Sequence, residues 1–406
     1  MNAAVEQSIQ QEVRRRQVFY LPGYDPFPPR RYREFYRKES VKQAKISGYE
    51  IALRPRQGAR PYGWHADATI DGQVIEADIE VLVWADIVRD SMETGIFGTY
   101  LQLFRTAWTY IGSGVLRRLT WLRGGPVVAA LYPIVVLLGQ LLLALISAGV
   151  LAWLLSQLHP LASMLGLAAV PAVLITFRGM DSRFFAYYLM HDYAYSAQSK
   201  GATPPELQAR MAEFGERIAE ALAADVDEVL IVGHSSGAHL GVSILADLVR
   251  SGRVAANGPA LNFLSLGHCV PMVSFLPEAH RLRANLQYLS ECDEIAWVDV
   301  SAPGDGCSFA LCDPVAVSGV ATTAQRWPLI ISAAFSQTLL PERWKALRRR
   351  YFRLHFQYLC AFDLPRDYDY FQITAGPITL GTRYAGRKHA KSRIDVPASK
   401  YTSIVA

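Results

Sequence analysis

The segment Gly233-His234-Ser235-Ser236-Gly237 has the residue types and the spacing of a serine nucleophile. It fits the pattern G-x-S-x-G, in which the serine stands on a sharp turn between a strand and a helix. A serine hydroxyl becomes a useful nucleophile when a nearby base accepts its proton. The chemistry indicated is attack of Ser235 Oγ on an acyl carbon. The alternative is a Gly-Ser turn with a structural role only.

The residues around this motif supply the elements that must position it. Val229–Val232 is a short apolar run that predicts a buried strand, and an apolar helix follows through Leu240–Leu248. Gly233 and Gly237 leave room for strand and helix to approach each other. Ser235 would stand at the start of the helix, where the Ser236 N–H and the helix dipole stabilise negative charge.

In this context the chain resembles the lipase and esterase branch of the α/β-hydrolase superfamily. The close resemblance covers about Glu228–Pro314, and a weaker one covers Val18–Pro26. It implies a mostly parallel, doubly wound α/β sheet and a triad in the chain order Ser, Asp or Glu, His. It also implies acyl-enzyme chemistry without a metal or cofactor. Strand patterns at Leu261–Gly267 and Ile295–Ser301, with a helix at Glu278–Leu289 between them, agree with such a sheet.

The expected chain order selects the acid of the triad. Asp305 follows the strand Ile295–Ser301 in a Pro-Gly loop, which is where the resemblance expects the acid. Asp313 is a second candidate nearby. Asp299, inside the strand pattern, is a third. We predict Asp305.

Two histidines follow Asp305, and one of them is the predicted base. His355 has apolar and aromatic neighbours on both sides, whereas His389 lies in a basic and solvated tail. We predict His355 as the base, with a satisfied core histidine as the alternative. The remaining candidates are less well placed, either beside the serine or before Asp305: His234, His239, His268 and His280.

The segment Val18–Pro26 predicts the other side of an oxyanion site. A short strand, Val18–Leu21, runs into Pro22-Gly23-Tyr24, where the resemblance expects the loop that donates a second N–H. We predict that Gly23 provides an unusual backbone angle and that Tyr24 N–H is the donor. Many members have His-Gly where this chain has Pro22-Gly23, so an ordinary Pro-Gly turn stays open as the alternative.

Two long apolar stretches separate this chain from a soluble hydrolase. Val127–Leu155 carries no charge and would reach about 43 Å as a helix, more than the ~30 Å hydrocarbon core of a bilayer. Leu161–Phe177 is also uncharged, and only Ser156–Pro160 separates the two stretches. They predict a transmembrane helical hairpin; the alternative is a buried helical pair. Arginines flank the hairpin but are absent from its loop, so both flanks are predicted to be cytoplasmic.

The hairpin divides the chain into three predicted parts. Residues 1–125 form the first part of the hydrolase domain, 126–177 the hairpin, and 178–406 the second part with the triad. Further elements are predicted as follows: a basic helix at Arg30–Lys45, in contact with anionic lipid or with solvent; strands at Tyr49–Arg54, Trp64–Ile70 and Gln73–Trp84, the last two joined by Asp71-Gly72; an aromatic helix at Thr99–Leu122; an interfacial or site-rim segment at Met180–Lys200; and a strand or core cover at Phe371–Leu380.

Composition excludes some classes of function. The net charge of +5 is modest and no basic stripe with stacking aromatics occurs, which argues against nucleic-acid binding. The five cysteines lack C-x-x-C spacing and are predicted to be free thiols. Met1–Arg16 is polar, unlike a cleavable signal peptide.

Together these patterns predict a serine hydrolase in a bacterial inner membrane that cleaves an ester, with membrane lipids as one substrate class. A catalytically silent scaffold for a lipid or protein partner and an acyltransferase are the alternatives. The sequence indicates neither the physiological substrate nor the oligomeric state.

Overall fold

A single eight-stranded sheet forms the centre of the molecule. The computed structural model describes residues 12–56 and 61–406. The strands lie in the order β2-β3-β4-β1-β5-β6-β7-β8, and all neighbouring pairs are parallel except the two that involve β3. Their bounds are β1 Arg15–Leu21, β2 Glu50–Pro55, β3 Gly63–Ile70, β4 Gln73–Val81, β5 Glu228–His234, β6 Ala260–Leu266, β7 Ile295–Ser301 and β8 Leu329–Ser332. The predicted α/β class with a mostly parallel sheet is confirmed.

Helices cover both faces of the sheet. Their bounds are α1 Arg30–Ser47, α2 Ala85–Met92, α3 Ile96–Ala107, α4 Val115–Leu119, α5 Gly124–Ser156, α6 Ala169–Gly179, α7 Asp181–Phe184, α8 Ala186–Gln198, α9 Pro205–Leu222, α10 Gly237–Arg250, α11 Val270–Ser274, α12 His280–Glu291, α13 Pro314–Val317, α14 Phe335–Thr338, α15 Pro341–Leu347, α16 Tyr351–His355, α17 Tyr370–Ala375 and α18 Leu380–Arg383. Two 3-10 segments, Pro160–Ala168 and Phe356–Leu359, and one π-helical turn, Trp108–Gly112, complete the regular structure.

The strands before and after the apolar stretches belong to the same sheet. β1 lies between β4 and β5, so strands far apart in the chain become neighbours. At the start of these strands the side chains of Arg16 and Glu228 form an ion pair with neither side chain exposed. Glu228 also accepts hydrogen bonds from Asn262 Nδ2 (2.7 Å) and Leu380 N (2.8 Å). A buried ion pair needs such further hydrogen bonds to offset the cost of removing both charges from water.

The predicted hairpin turn between β3 and β4 is confirmed. Asp71 (φ 54°) and Gly72 (φ 77°) are both in the left-handed region, as a tight hairpin turn requires. β4 ends at Val81 rather than at Trp84. The Trp84 indole instead donates a hydrogen bond to the carbonyl of Pro22, at 3.0 Å.

Two predicted elements differ in the structure. The helix expected at Thr99–Leu122 is broken into α3, the π-helical turn and α4, with Gly114 (φ 79°) at the last break. The wider turn holds Tyr110, whose hydroxyl donates to the carbonyl of Met272 at 2.9 Å. The segment Phe371–Leu380 forms no strand; α17 covers the core there. Residues 1–11 of the polar N-terminal segment lie outside the described residues, while Arg15 and Arg16 already belong to β1.

The two apolar stretches form long helices that leave most of their side chains exposed. α5 has 33 residues with a hydropathy of 2.6, and Pro160–Gly179 has 20 residues with a hydropathy of 1.9. By length and composition both can cross a membrane. They pack closely where a Cβ on Gly166 would lie 2.7 Å from Ala152 Cβ. The predicted hairpin is therefore present as a pair of apolar helices, with a 3-10 turn in place of the start of the second α-helix.

Candidate active site

Ser235 stands on a strained turn between β5 and α10. Its φ of 57° lies in the left-handed region, which a serine adopts only when its surroundings enforce it. A Cβ on Gly237 would lie 2.1 Å from the carbonyl oxygen of Leu21, and one on Gly233 would lie 2.8 Å from that of Gly237. Both glycines are therefore required by close backbone contacts. The predicted strand–turn–helix geometry of the motif is confirmed.

Asp305 and His355 meet although they are 50 residues apart in the chain. His355 Nδ1 donates to Asp305 Oδ2 at 2.8 Å, and both side chains are buried. Asp305 Oδ1 accepts from the backbone N–H of Cys307 at 3.0 Å. A carboxylate in this position fixes the tautomer of the imidazole so that Nε2 is free to accept a proton. The structure thus joins the predicted acid to the predicted base.

The surroundings of Asp305 favour its charged form. Burial by itself raises the pKa of this carboxyl, but the charge of His355, the hydrogen bond from its ring and the N–H of Cys307 outweigh burial and lower the pKa. Tyr358 adds a further hydrogen bond, donating to Asp305 Oδ2 at 3.0 Å. An ionised, fully bonded carboxylate is what an imidazolium partner needs.

The serine and the histidine do not form the hydrogen bond expected between nucleophile and base. Ser235 Oγ instead contacts Cys269 Sγ at 3.6 Å. His355 Nε2 is buried, and it has no hydrogen-bond partner among the described residues. In free enzymes such catalytic contacts are often long and form only with substrate. The Asp305–His355 pair is assembled here, and the serine hydroxyl points to a thiol.

Gly23 has a different role from the predicted one. Its φ is not in the left-handed region, so the expected unusual backbone angle is wrong. A Cβ at this position would instead lie 2.9 Å from Ser235 Cβ and 3.3 Å from Ser235 Oγ. Gly23 therefore gives the serine side chain its space. In the part of the chain that the structure describes, neither Tyr24 N–H nor Ser236 N–H donates a hydrogen bond, so two donors flank Ser235.

The competing acids have structural partners away from the serine. Asp299 is buried within β7 and accepts from Ser265 Oγ (2.7 Å) and Ser301 Oγ (3.1 Å). Asp313 caps α13 by accepting from the backbone N–H groups of its first turn. The structure brings neither of them to His355.

The competing histidines also lie elsewhere. His389 accepts from Ile330 N through Nδ1 at 3.2 Å, and His268 Nε2 bonds to the carbonyl of Cys312 at 2.9 Å. His280 is 4.0 Å from Glu278. His239 borders a cavity behind the serine, described below.

Two site residues, Gly267 and Tyr358, were missed from the sequence, whereas His234 was predicted as part of the nucleophile turn. His234 Nε2 donates to the backbone carbonyl of His355 at 3.0 Å, and burial together with the charge of His355 lowers the pKa of His234 to about 3. Gly267 (φ 53°) has no room for a Cβ, which would lie 2.6 Å from Tyr358 Cε2. Tyr358 follows His355 at i+3, a spacing that brings both side chains to one side of a helical turn and was the available signal.

A group of possible metal ligands overlaps with the acid–base pair. One atom each from Asp305, Cys307 and His355 lies within 4.8 Å of the others. Metal binding by cysteine requires the thiolate. Burial, together with the charge of Asp305, raises the pKa of the Cys307 thiol well above its ordinary value. His355 Nδ1 is already bonded to Asp305. This arrangement suits proton transfer better than metal ligation. All five cysteines are free, as predicted.

The loop of Asp305 and the helix α16 that ends at His355 both adjoin the apolar helices. A Cβ on Gly125, in the first turn of α5, would lie 2.9 Å from Gly306 Cα, next to Asp305. Phe352, on the base helix α16, packs against Phe185, with 4.8 Å between ring centroids. Phe185 follows soon after the second apolar helix. The acid–base pair therefore lies near the ends of both helices.

No family model, curated protein or solved structure matches this chain.

Proposed function

We propose that this chain is a serine hydrolase of the α/β-hydrolase type that cleaves a carboxylic ester. One observation carries the proposal: a serine on a strained strand–helix turn, at a φ of 57°, shares its site with a buried Asp305–His355 pair bonded at 2.8 Å. The strain at Ser235 costs stability, and such strain persists where the surrounding structure enforces it, often at active sites.

In the proposed mechanism His355 is the base. As Ser235 Oγ attacks the acyl carbon, its proton passes to His355 Nε2, which requires the hydroxyl to rotate away from Cys269. Asp305 stabilises the imidazolium, and the N–H groups of Tyr24 and Ser236 receive the oxyanion. The imidazolium then protonates the leaving alkoxide. Water resolves the acyl-enzyme, with His355 again accepting the proton.

We further propose that the apolar helices anchor the enzyme in a membrane with the catalytic part on the cytoplasmic side. Support comes from their exposed apolar side chains and from the flanking arginines. The contacts of α5 with the acid loop and of Phe185 with α16 put the site next to the proposed bilayer surface. A substrate that reaches the site from that surface would be an acyl ester of a membrane lipid.

A catalytically silent scaffold is the second candidate. The contact of Ser235 Oγ with Cys269, and the unpartnered Nε2 of His355, favour it because the nucleophile and the base are not bonded. In that case the strained turn would be part of the architecture, and the protein would bind a lipid or a protein partner.

Labelling with a fluorophosphonate probe separates the two candidates. We expect the detergent-solubilised wild type to be labelled, and Ser235→Ala and His355→Ala to lose labelling. Ser236→Ala is the matched control, because it removes a neighbouring hydroxyl while keeping the N–H proposed for the oxyanion. A well-folded wild type that is not labelled would favour the scaffold.

A further inference from the structure

Behind the nucleophile turn lies a small cavity that the proposed mechanism does not use. It has a volume of about 40 Å³ and lies between α8, α9 and α10. Tyr24 and Ser236, the two residues proposed to bind the oxyanion, both line it. Because about 10–15 Å³ of cavity volume suffices for one water molecule, the cavity has room for a hydroxyl or an ammonium group.

Three polar groups lining this cavity have no hydrogen-bond partner among the residues that the structure describes. The Tyr195 hydroxyl and His239 Nδ1 are buried and make no hydrogen bond with any described residue. The carboxyl of Asp192, on α8, is half-buried; across residues 12–56 and 61–406 it neither accepts a hydrogen bond nor pairs with a cation. A buried polar group without a hydrogen bond destabilises the folded protein, so a ligand that forms the missing hydrogen bonds binds more tightly.

The charges around Asp192 define which ligand suits the cavity. Burial lowers the pKa of His239 to about 4, so this ring is neutral at pH 7. Burial also raises the pKa of Tyr195, which stays a neutral hydroxyl. Asp192 is therefore the group in the cavity that can be negative, and a hydrogen-bond donor, above all a cationic one, is its complement.

We propose that this cavity binds an ammonium or hydroxyl group of the substrate and that Asp192 is the residue that selects it. The inference rests on the proposed function, because the cavity shares Tyr24 and Ser236 with the oxyanion site. The ammonium or hydroxyl group would donate to the Asp192 carboxylate, and a hydroxyl could also accept from Tyr195. The ester would therefore carry this group close to its acyl carbon.

Recognition by Asp192 should depend on pH. Burial raises the pKa of Asp192 to about 7, with the charge of His355 opposing that rise. The other titratable groups whose charges interact with Asp192 come from its own helix and from four neighbouring segments: Tyr188 and Tyr193, and Tyr24, Tyr110, Cys269 and Cys307. Burial raises the pKa of each of these, so they stay neutral near pH 7. Preference for an ammonium group should therefore grow as the pH rises through about 7.

Binding of a small amine tests the cavity without relying on activity. We expect n-butylammonium chloride to raise the Tm of the wild type and of Ser235→Ala at pH 8, in a saturable way. Tetramethylammonium chloride, which has the same charge but no N–H to donate, should not. Asp192→Asn should bind n-butylammonium at least about tenfold more weakly, in line with the loss of a charge-assisted hydrogen bond. Equal responses of wild type and Asp192→Asn would overturn the proposal.

Ester hydrolysis then distinguishes the two donor groups. We expect kcat/KM of the wild type to fall from 4-aminobutyl to 4-hydroxybutyl to pentyl octanoate, by about 10- to 100-fold between the first and the last. Asp192→Asn should abolish this ratio. Equal rates for the three esters in a protein that still reacts with a fluorophosphonate would refute the cavity's role and leave the hydrolase proposal standing. Ser243→Leu, which fills the cavity from α10, should also remove the preference, and keeps the test open if Asp192→Asn folds poorly.

Discussion

Replacing Asp192 by asparagine should make the protein more stable at neutral and alkaline pH. The reason is that, within residues 12–56 and 61–406, an ionised carboxylate in this place has neither an ion pair nor a hydrogen bond to offset its burial. Burial raises its pKa from 3.8 to about 7. Each tenfold change in proton affinity corresponds to about 1.36 kcal/mol, so the cost of ionisation in the fold is about 4 kcal/mol. This is an upper value, because the side chain borders a cavity that water can enter.

The sign of the pH dependence follows from proton binding. Between pH 3.8 and about 7 the folded protein keeps this proton while the unfolded chain has lost it. The contribution of Asp192 to the free energy of unfolding is therefore fully present below pH 3.8, falls as the pH rises and is lost above about pH 7. Asparagine does not titrate, so the variant lacks this fall. Between about pH 5 and pH 8 the free energy of unfolding of the variant should therefore rise by about 3 kcal/mol relative to that of the wild type.

Thermal unfolding in one detergent measures this difference. For a chain of 406 residues, about 2.1 cal/mol/K per residue at the midpoint converts 3 kcal/mol into a Tm difference of about 3.5 °C. We expect the Tm of Asp192→Asn minus that of the wild type to widen by this amount between about pH 5 and pH 8, then to level off. Asp90→Asn, an exposed aspartate on α2, is the control. A difference that stays constant with pH, or a variant that is less stable at pH 8, would mean that Asp192 has a stabilising partner.

Two further predictions concern the nucleophile and the apolar helices. Gly23→Ala puts a methyl group 2.9 Å from Ser235 Cβ, so we expect kcat/KM for an ester to fall by at least about 100-fold. The far-ultraviolet circular dichroism spectrum should stay unchanged. Full activity of this variant would show that the Ser235 side chain does not need the space that Gly23 leaves. A reporter fused into the turn 156–160 between the apolar helices should behave as periplasmic and one fused after residue 406 as cytoplasmic, and a cytoplasmic signal from the turn would exclude the proposed topology.

The nucleophile turn was predictable because its determinants are local. An apolar strand, glycines at two close contacts and an apolar helix lie within about 20 consecutive residues, and β5, Ser235 and α10 follow them. The apolar helices were predictable for a similar reason, since length and absence of charge are properties of the chain itself. The Asp71-Gly72 turn belongs to the same group.

The aromatic helix at Thr99–Leu122 was not predictable in detail, because its break serves a distant contact. The Tyr110 hydroxyl donates a hydrogen bond to the carbonyl of Met272, and no local sequence pattern predicts a partner that far along the chain. The role of Gly23 was wrong for a comparable reason. The φ of Gly23 is ordinary. A glycine is required there only because Ser235, at the end of β5, lies directly beside it.

By itself the sequence determined the order of the candidate residues, the parallel α/β pattern and the two apolar helices, since each depends on residue type and spacing. Tertiary structure alone decided which acid meets His355: Asp305 bonds to it, while Asp299 and Asp313 are used within the fold. It also decided that Ser235 Oγ points to Cys269 and that Asp192, on a helix far from the motif, borders the same site. Side-chain direction and burial arise from packing between distant segments, and packing is what a linear pattern does not contain.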